Sequence, residues 1–458
     1  MKEKRPFGFN VIAYISGNLG LGVAARSLVE LVLAKEFPVA IYDIDPQLGR
    51  GRHDMRFEKL CVSKFEDLPY AVDLLVLSAP DVERTMRENS KDFVRRNRLK
   101  VAMPFWELPI LPPSWVPAYE AVDVVIAASE SMRSAFEFTL SGPSVIGGRL
   151  PLVLPDTIRP DRKRFSLPDD AVVFVTSFET NSDPERKNPC ATIDAFLRGA
   201  ADLQQAHLLI RINNARTDGT DHPIVAELLQ RSAGHARIHL LTEPFAYADV
   251  LALYASADVY VSLHRAEGLG LGLMEAMALG KPVIATAWSG NMTFMNRTNG
   301  CLVSYRLIPV EGSEFFYRSP FLPQGVQWAD PDIGEAAAWM RQLVNDVGLR
   351  ARIGAAAARD IHAFRMEAER GLMLDELKAI WESRSFLPNR TRQSLRPRRF
   401  PDLLAERDQR LAEKDRLLAE RERTVAGLRS QLSWLENKPV NRFIRAIRNV
   451  VRREPKAS

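Results

Sequence analysis

Cysteine is scarce, with only Cys61, Cys190 and Cys301 in 458 residues. Scattered singly, they offer neither a disulfide framework nor metal-ligand spacing, and they fit a reducing cytoplasm. Long hydrophobic runs are missing too. Stretches such as Leu74 to Leu77 stop far short of the roughly 20 apolar residues that span a bilayer, so no transmembrane helix is expected. The opening MKEKRPFGFNVIAYIS carries a basic cluster but passes straight into a strand pattern without a small-residue cleavage site, so no secretory signal is expected. A large excess of one charge is also lacking, with 62 Lys and Arg against 57 Asp and Glu. That balance hides an asymmetry. Residues 386–458 hold 19 cations against 9 acids, which leaves residues 1–385 with 43 against 48. A slightly acidic body argues against nucleic-acid binding, and the basicity belongs to the tail.

What is present is a globular composition, 46% hydrophobic and 26% charged, long enough for two or three units. Short β-branched runs alternate with longer amphipathic segments, which predicts an α/β architecture of βα units around parallel sheets. Strands are expected at Phe9 to Ser16, Val39 to Asp43, Leu74 to Ser78, Leu99 to Met103 and Val122 to Ala128. A second series is expected at Ala171 to Ser177, His207 to Ile212, Ile238 to Leu241, Val259 to Leu263 and Val283 to Thr286. A proline-rich stretch from Arg149 to Arg164 separates the two series. Two doubly wound domains facing a cleft follow, over residues 1–155 and 156–382. The segment Arg306 to Pro331 breaks the rhythm and reads as a long loop or excursion.

Beyond Trp381 the composition changes. Residues 383–401 carry three prolines and six arginines and read as a linker. A seven-residue recurrence places Leu404, Leu411, Leu418, Val425 and Leu432 in one register, but its companion positions are Arg407, Lys414 and Arg421, so the seam is thin. A solvated charged helix and weak self-association through residues 404–435 both remain open. Farther on, Phe443, Ile444, Ile447, Val450 and Val451 share one helical face and Arg442, Arg445, Arg448 and Arg452 the other. This pattern suits a helix lying on an anionic membrane surface, with docking on a protein the alternative.

Three strand-loop-helix junctions could hold a phosphate. After Val259-Tyr260-Val261-Ser262-Leu263 comes HRAEGLGLGLMEAMALGKP, with Gly268, Gly270 and Gly272 ahead of a predicted helix whose amides and dipole favour an anion. Glu267 and Glu275 flank this loop. In so apolar a stretch Glu275 is either an inward acid that needs sugar or ribose hydroxyls as donors, or a surface residue of an amphipathic helix. The second junction, FETNSDPERKNP, places Arg186 and Lys187 before a helix that starts with Asn188 as N-cap and Pro189 at its first position. These cations suit a diphosphate or a solvated turn. The third, Gly17-Asn18-Leu19-Gly20-Leu21-Gly22, precedes a helix expected over Val23 to Lys35. Its order is GxxGxG rather than the dinucleotide GxGxxG, although Asp43 closes the next strand where a ribose-binding acid would stand. A tight turn explains these glycines equally well.

Together these residues resemble the retaining glycosyltransferases of family 4. The resemblance covers residues 7 to 380 and rests on EGLGLGLME, which matches that family's E-x7-E element, on ADVYVSLHRAEG before it, and on the lysine of ERKNP. YISGNLGLGVAARS, PFWELPILPPSW, SLHRAEG and WADPD are similar to bacterial polysaccharide and lipopolysaccharide transferases. The resemblance implies the GT-B fold of two Rossmann-like domains, a nucleotide-sugar donor on the second and a glycan or lipid-linked acceptor on the first. It implies that Glu267 contacts the transferred sugar, Glu275 the ribose, and Arg186 with Lys187 the diphosphate. Amides around Gly268, Gly270 and Leu271 add to that site, while Gly20 and Gly22 line the cleft from the first domain. No cofactor and no metal are expected. Many relatives carry an arginine where Ser177-Phe178 stands here, and Arg186 is the expected substitute. Many also carry an acceptor-side histidine where this chain has Pro104-Phe105-Trp106-Glu107, which makes Glu107 and Trp106 acceptor-side candidates. His264 either donates to the sugar or holds the loop, the former being preferred. The expectation is a cytoplasmic sugar transferase, peripheral on the inner face of the plasma membrane through its tail. The alternatives are a nucleotide-sugar epimerase and a non-catalytic membrane adaptor, with a dinucleotide oxidoreductase disfavoured by the glycine order.

Overall fold

The structure, a computed structural model, describes residues 5–45, 53–89, 98–217, 220–311, 317, 322–383, 416 and 423. The linker, the heptad-like segment and the basic amphipathic segment therefore lie outside the described residues, apart from Ser383, Arg416 and Arg423.

Strands Phe9–Ala13 (β1), Val39–Asp43 (β2), Val72–Ser78 (β3), Leu99–Phe105 (β4), Val124–Ala127 (β5) and Ser144–Gly147 (β6) form a parallel sheet in the order β2-β1-β3-β4-β5-β6. The residues of β1 and β5 are buried on both faces, which is why neither strand alternates: β5 is wholly apolar, and β1 is interrupted only by Asn10, whose amide donates to Asp73 at 2.7 Å. Helices Gly20–Ala34 (α1), Ala79–Glu88 (α2), Val116–Tyr119 (α3) and Glu130–Thr139 (α4) connect them.

A second parallel sheet is built from Val172–Glu179 (β7), Ala206–Asn213 (β8), Ile238–Leu241 (β11), Val259–Ser262 (β12), Val283–Thr286 (β13) and Cys301–Val303 (β14). Its order is β11-β8-β7-β12-β13-β14, and a small pair, Arg216–Thr217 (β9) with Thr220–Asp221 (β10), follows β8. Its helices are Pro184–Lys187 (α5), Pro189–Gly199 (α6), Pro223–Ser232 (α7), Tyr247–Ser256 (α8), Leu271–Ala278 (α9), Ile333–Asn345 (α10), Val347–Glu369 (α11) and Leu372–Ser383 (α12). One core, from Phe174 and Phe196 to Met340 and Leu343, packs α6 and α10 against this sheet.

Three details differ from the pattern. The segment from Arg306 to Pro331 is bounded by an antiparallel hairpin, Tyr305–Pro309 (β15) with Gln327–Pro331 (β16), in which Tyr305 pairs with Pro331. Both strands are too short to register as a strand signal, and β15 is exposed along most of its length while β16 buries Trp328 and Ala329. Helix α1 begins at Gly20, three residues earlier than expected, so Gly20 and Gly22 stand in its first turn and not in the preceding loop. Glycine is required at 22, because a Cβ there would meet Gly17 O at 2.5 Å and Tyr14 O at 2.9 Å. Finally, the chain returns to the first sheet's side at its end. Arg149 pairs with Glu367 at 3.0 Å and lies over the Phe364 ring, and Lys35 reaches Asp375.

Candidate functional site

In each sheet the strand order reverses beside the first strand, between β1 and β3 and between β7 and β12. At the carboxyl ends of such neighbours the outgoing segments diverge, which opens a crevice. The second sheet sends two loops there, 180–188 after β7 and 263–270 after β12.

The β7 loop ends as its sequence implies, with Pro189 opening α6 and Asn188 as its N-cap. Asn188 is left-handed, with φ 53°, and its side-chain amide donates to Leu263 O at 3.0 Å instead of capping the helix. That bond ties the two loops together. Arg186 is almost wholly buried and donates to Ala266 O at 2.8 Å, Ser182 O at 3.0 Å and Ser182 Oγ at 2.6 Å. Its guanidinium also stands 3.6 Å from Glu267 and 3.7 Å from Glu107. Burial disfavours its charge, but Glu107, Tyr317 and Glu267 outweigh that, and its pKa is raised. Arg186 thus braces the loops and joins the two halves of the molecule, with little of it left exposed.

Lys187 donates to Glu267 Oε1. Burial lowers the lysine pKa, against the opposing pull of Glu267. Burial works against ionisation of Glu267 as well, yet Lys187 and Arg186 together hold its pKa down at about 2. Glu107, Glu267, Arg186 and Lys187 therefore bring two carboxylates and two cations into one largely buried cluster, with the buried Asp183 a further carboxylate acting on Arg186.

Helix α9 follows the second loop. Its N-cap Gly270 has φ 95°, a conformation that side-chain-bearing residues avoid, and this turn aims the first amides of the helix, from Leu271 on, toward the crevice. One turn inside, Glu275 is 5% exposed and accepts from the Tyr247 hydroxyl at 2.9 Å. Burial pushes its pKa up to about 7, only partly offset by the Tyr247 bond and the charge of Arg211. Glu275 is an inward acid, not a residue of an exposed helix face.

His264 is fully buried. Its Nδ1 meets Ser262 Oγ at 2.9 Å, and its Nε2 lies 3.2 Å from both Trp288 O and Asn291 Oδ1. Burial lowers its pKa, so the ring is neutral. With both nitrogens engaged by the protein, His264 clasps the loop, and the preference for a sugar-side role gives way to the alternative.

The first sheet closes the crevice from the other side. An added Cβ at Gly20 would stand 3.9 Å from Leu271 Cδ1, and one at Gly268 would stand 3.4 Å from Trp106 O. Gly22 faces its own turn rather than the opposite half. Asn18 adds a direct bond across, donating to Phe245 O at 3.0 Å. Trp106 donates to Ile110 O at 2.7 Å and stacks on Tyr317 with ring centroids 5.3 Å apart. The Tyr317 hydroxyl donates to Glu107 Oε2 at 2.6 Å. Pattern reading misses Tyr247, Tyr317 and Arg211, because each comes from a segment remote in sequence and carries no motif.

Of the two Asp-x-Asp triplets, 43–45 and 330–332, three aspartates make structural contacts. Asp43 accepts from Ile15 N at 3.2 Å and Ser16 Oγ at 2.6 Å, Asp330 pairs with Arg306, and Asp332 caps α10. Among the described residues, no three His, Cys, Asp or Glu side chains are grouped to hold a metal ion.

Residues 169–309 match the family Glycosyl transferases group 1. No curated protein matches the sequence. Among solved structures, sucrose-phosphate synthase from Thermosynechococcus elongatus superposes with a TM-score of 0.61 at 17% identity, covering 82% of this chain and 100% of its own. HepE of Anabaena, solved with UDP and glucose, gives 0.58 at 15% identity, covering 81% of this chain and 100% of its own. A glycosyltransferase from Rickettsia africae gives 0.55 at 14%, with 84% and 99% covered. This is the GT-B fold. The stretch that matches the group 1 glycosyl transferases lies in its second Rossmann-like half, and the cluster of Lys187, Glu267 and Glu275 lies within that match. In GT-B terms Glu107 and Trp106 belong to the opposite half, so the Arg186 to Glu107 contact joins the two halves across the cleft. Among the described residues no helix is long and apolar enough to cross a membrane.

Proposed function

We propose that the protein is a retaining glycosyltransferase of family 4 that moves a sugar from a nucleotide-sugar to a glycan or lipid-linked acceptor in bacterial surface polysaccharide synthesis. The observation that carries this reading is the convergence of Lys187, buried Glu267 and the N-terminus of α9 at the second sheet's switch point. That HepE was solved with UDP and glucose supports a nucleotide-sugar as the donor class.

The donor diphosphate lies against the amides at Gly270 and Leu271 with Lys187 beside it. The diphosphate arrives at a site whose cations already face carboxylates, and the helix amides supply the remaining positive potential. As the bond from the anomeric carbon to the leaving phosphate oxygen stretches, charge grows on that oxygen, and the fixed donors stabilise it more than they stabilise the ground state. Glu267, kept ionised, accepts from hydroxyls of the transferred sugar and faces the oxocarbenium-like centre. Glu275 accepts from the ribose. The acceptor hydroxyl comes from the Trp106 and Glu107 side, attacks the anomeric carbon on the face the nucleotide leaves, and passes its proton to the departing phosphate. No metal is needed for these steps. The basic tail rests on an anionic leaflet and brings the enzyme to lipid-linked acceptors.

The test is turnover of the full chain with a panel of nucleotide-sugars and a membrane-extracted acceptor, with and without a chelator, and with the anomeric configuration of the product read by NMR. Inverted product would overturn the retaining mechanism. Conversion of the donor without acceptor would favour the epimerase.

A further inference from the structure

We propose that Arg211 reads the nucleobase of the donor and selects bases that present a carbonyl, uracil, thymine or guanine, over cytosine and adenine, which present an amino group at the same position; this rests on the donor site argued above. Arg211 lies near the carboxyl end of β8, in register with Ser177 on β7, and is only 8% exposed. Two of its N–H groups are used, one on Ser177 Oγ at 3.1 Å and one on Asn213 Oδ1 at 3.1 Å. Its buried Nε has no hydrogen-bond partner. Among the described residues no carboxylate forms an ion pair with it; its electrostatic reach extends to Glu275, as the pull on that acid's pKa records. The planar cation lies 5.8 Å from the centre of the Phe245 ring. A desolvated guanidinium with spare donors is an incomplete arrangement, because buried cations are stable when their N–H groups are matched.

Its position says which part of a nucleotide completes it. The diphosphate donors, Lys187 after β7 and the amides of Gly270 and Leu271 after β12, lie at the switch point between these two strands. Glu275 and Tyr247 come next, one helical turn farther. Phe245 and Arg211 follow on the far side of β7. A nucleoside laid along this line puts its ribose on Glu275 and its base beside Arg211. A guanidinium pairs with carbonyl oxygens and cannot accept from an amino group, so the base with oxygen at that edge is the one that fits.

The test measures binding of UDP, CDP, GDP and ADP to the full chain by calorimetry, for the wild type, Arg211→Lys, Arg211→Met and Lys187→Ala. The expected result is at least ~10-fold tighter binding of UDP over CDP and of GDP over ADP in the wild type, with that ratio reduced to about one in both Arg211 variants. Lys187→Ala should weaken all four alike and preserve the ratio. Where the methionine variant does not fold by circular dichroism, the lysine variant, which keeps the charge and loses the fork, carries the result. Equal binding of all four nucleotides by the wild type, or Arg211 variants that weaken all four equally, would overturn the inference while leaving the donor site in place. No binding of any nucleotide by the wild type would overturn both.

Discussion

The Tyr247 hydroxyl donates to Glu275 Oε1 at 2.9 Å and joins the first turn of α8 to the second turn of α9. Among the described residues it is the one side-chain hydrogen-bond donor to this buried carboxyl, whose pKa burial pushes up to about 7. A carboxyl whose folded pKa lies above its unfolded value keeps a proton that the unfolded chain has lost, so stability falls as pH rises from about 4.5 to about 7. Urea unfolding across that window should show a decline of up to about 3 kcal/mol that Glu275→Gln abolishes. An equal slope in the variant would contradict the assignment. Tyr247→Phe should destabilise by about 1–3 kcal/mol, and more at pH 8 than at pH 5.5, because only the ionised acid is then left without its donor.

Lys187→Ala removes the cation that contacts Glu267. Turnover should fall by about 100-fold or more, as expected when a principal stabiliser of transition-state charge is lost. The readout is kcat and KM for the donor, and a variant with near wild-type kcat would remove Lys187 from the mechanism.

Glu107 bonds Tyr317 at 2.6 Å and stands 3.7 Å from Arg186. If it serves the acceptor, Glu107→Gln should lower kcat or raise the acceptor KM by about 10- to 100-fold while donor-nucleotide affinity holds within about 3-fold. A selective loss of donor affinity would move it to the nucleotide side.

Gly270→Ala places a side chain on a residue at φ 95°. A destabilisation of about 1–2 kcal/mol is expected, together with weaker nucleotide binding as the start of α9 shifts. Denaturant melts and calorimetry on the same variant separate the two effects.

Away from the cleft, Arg98 and Asp73 form a buried ion pair at 2.7 Å that Asn10 completes with a 2.7 Å bond to the same carboxylate oxygen. Arg98→Met leaves Asp73 charged in the core, and a loss of about 3–5 kcal/mol in unfolding free energy is expected. A change under 1 kcal/mol would mean that the other partners of Asp73, Asn10 among them, suffice.

Much of this molecule is legible one strand at a time. Val39–Asp43, Ile238–Leu241 and Val283–Thr286 fall where the β-branched runs predict; Val283–Thr286 is buried along its whole length, while the edge strands Val39–Asp43 and Ile238–Leu241 are only partly buried and admit Asp43 and His239. The strand Cys301–Val303 and the hairpin from Tyr305 do not announce themselves, one being three residues long and the other opening on an exposed strand. Glycine spacing points to the α9 junction for a local reason, since the φ of Gly270 and the helix start belong to adjacent residues. By contrast, the extent of α1 over the glycines at 20 and 22 depends on the packing of its first turn against Tyr14 and Gly17.

Local chemistry alone determined the alternation of strand and helix, the glycine turn at 270, the helix start at Pro189 and the candidacy of Glu267, Glu275 and Lys187, because backbone preference and apolar patterning act between near neighbours. Only the tertiary structure decided that Arg186 braces the cleft through Ala266 and Glu107, that His264 clasps a loop, and that Tyr247, Tyr317 and Arg211 join the site. Those partners stand up to 210 residues apart, as between Glu107 and Tyr317. Burial and charge pairing depend on distances in space, and those distances are set by the packing of the two sheets.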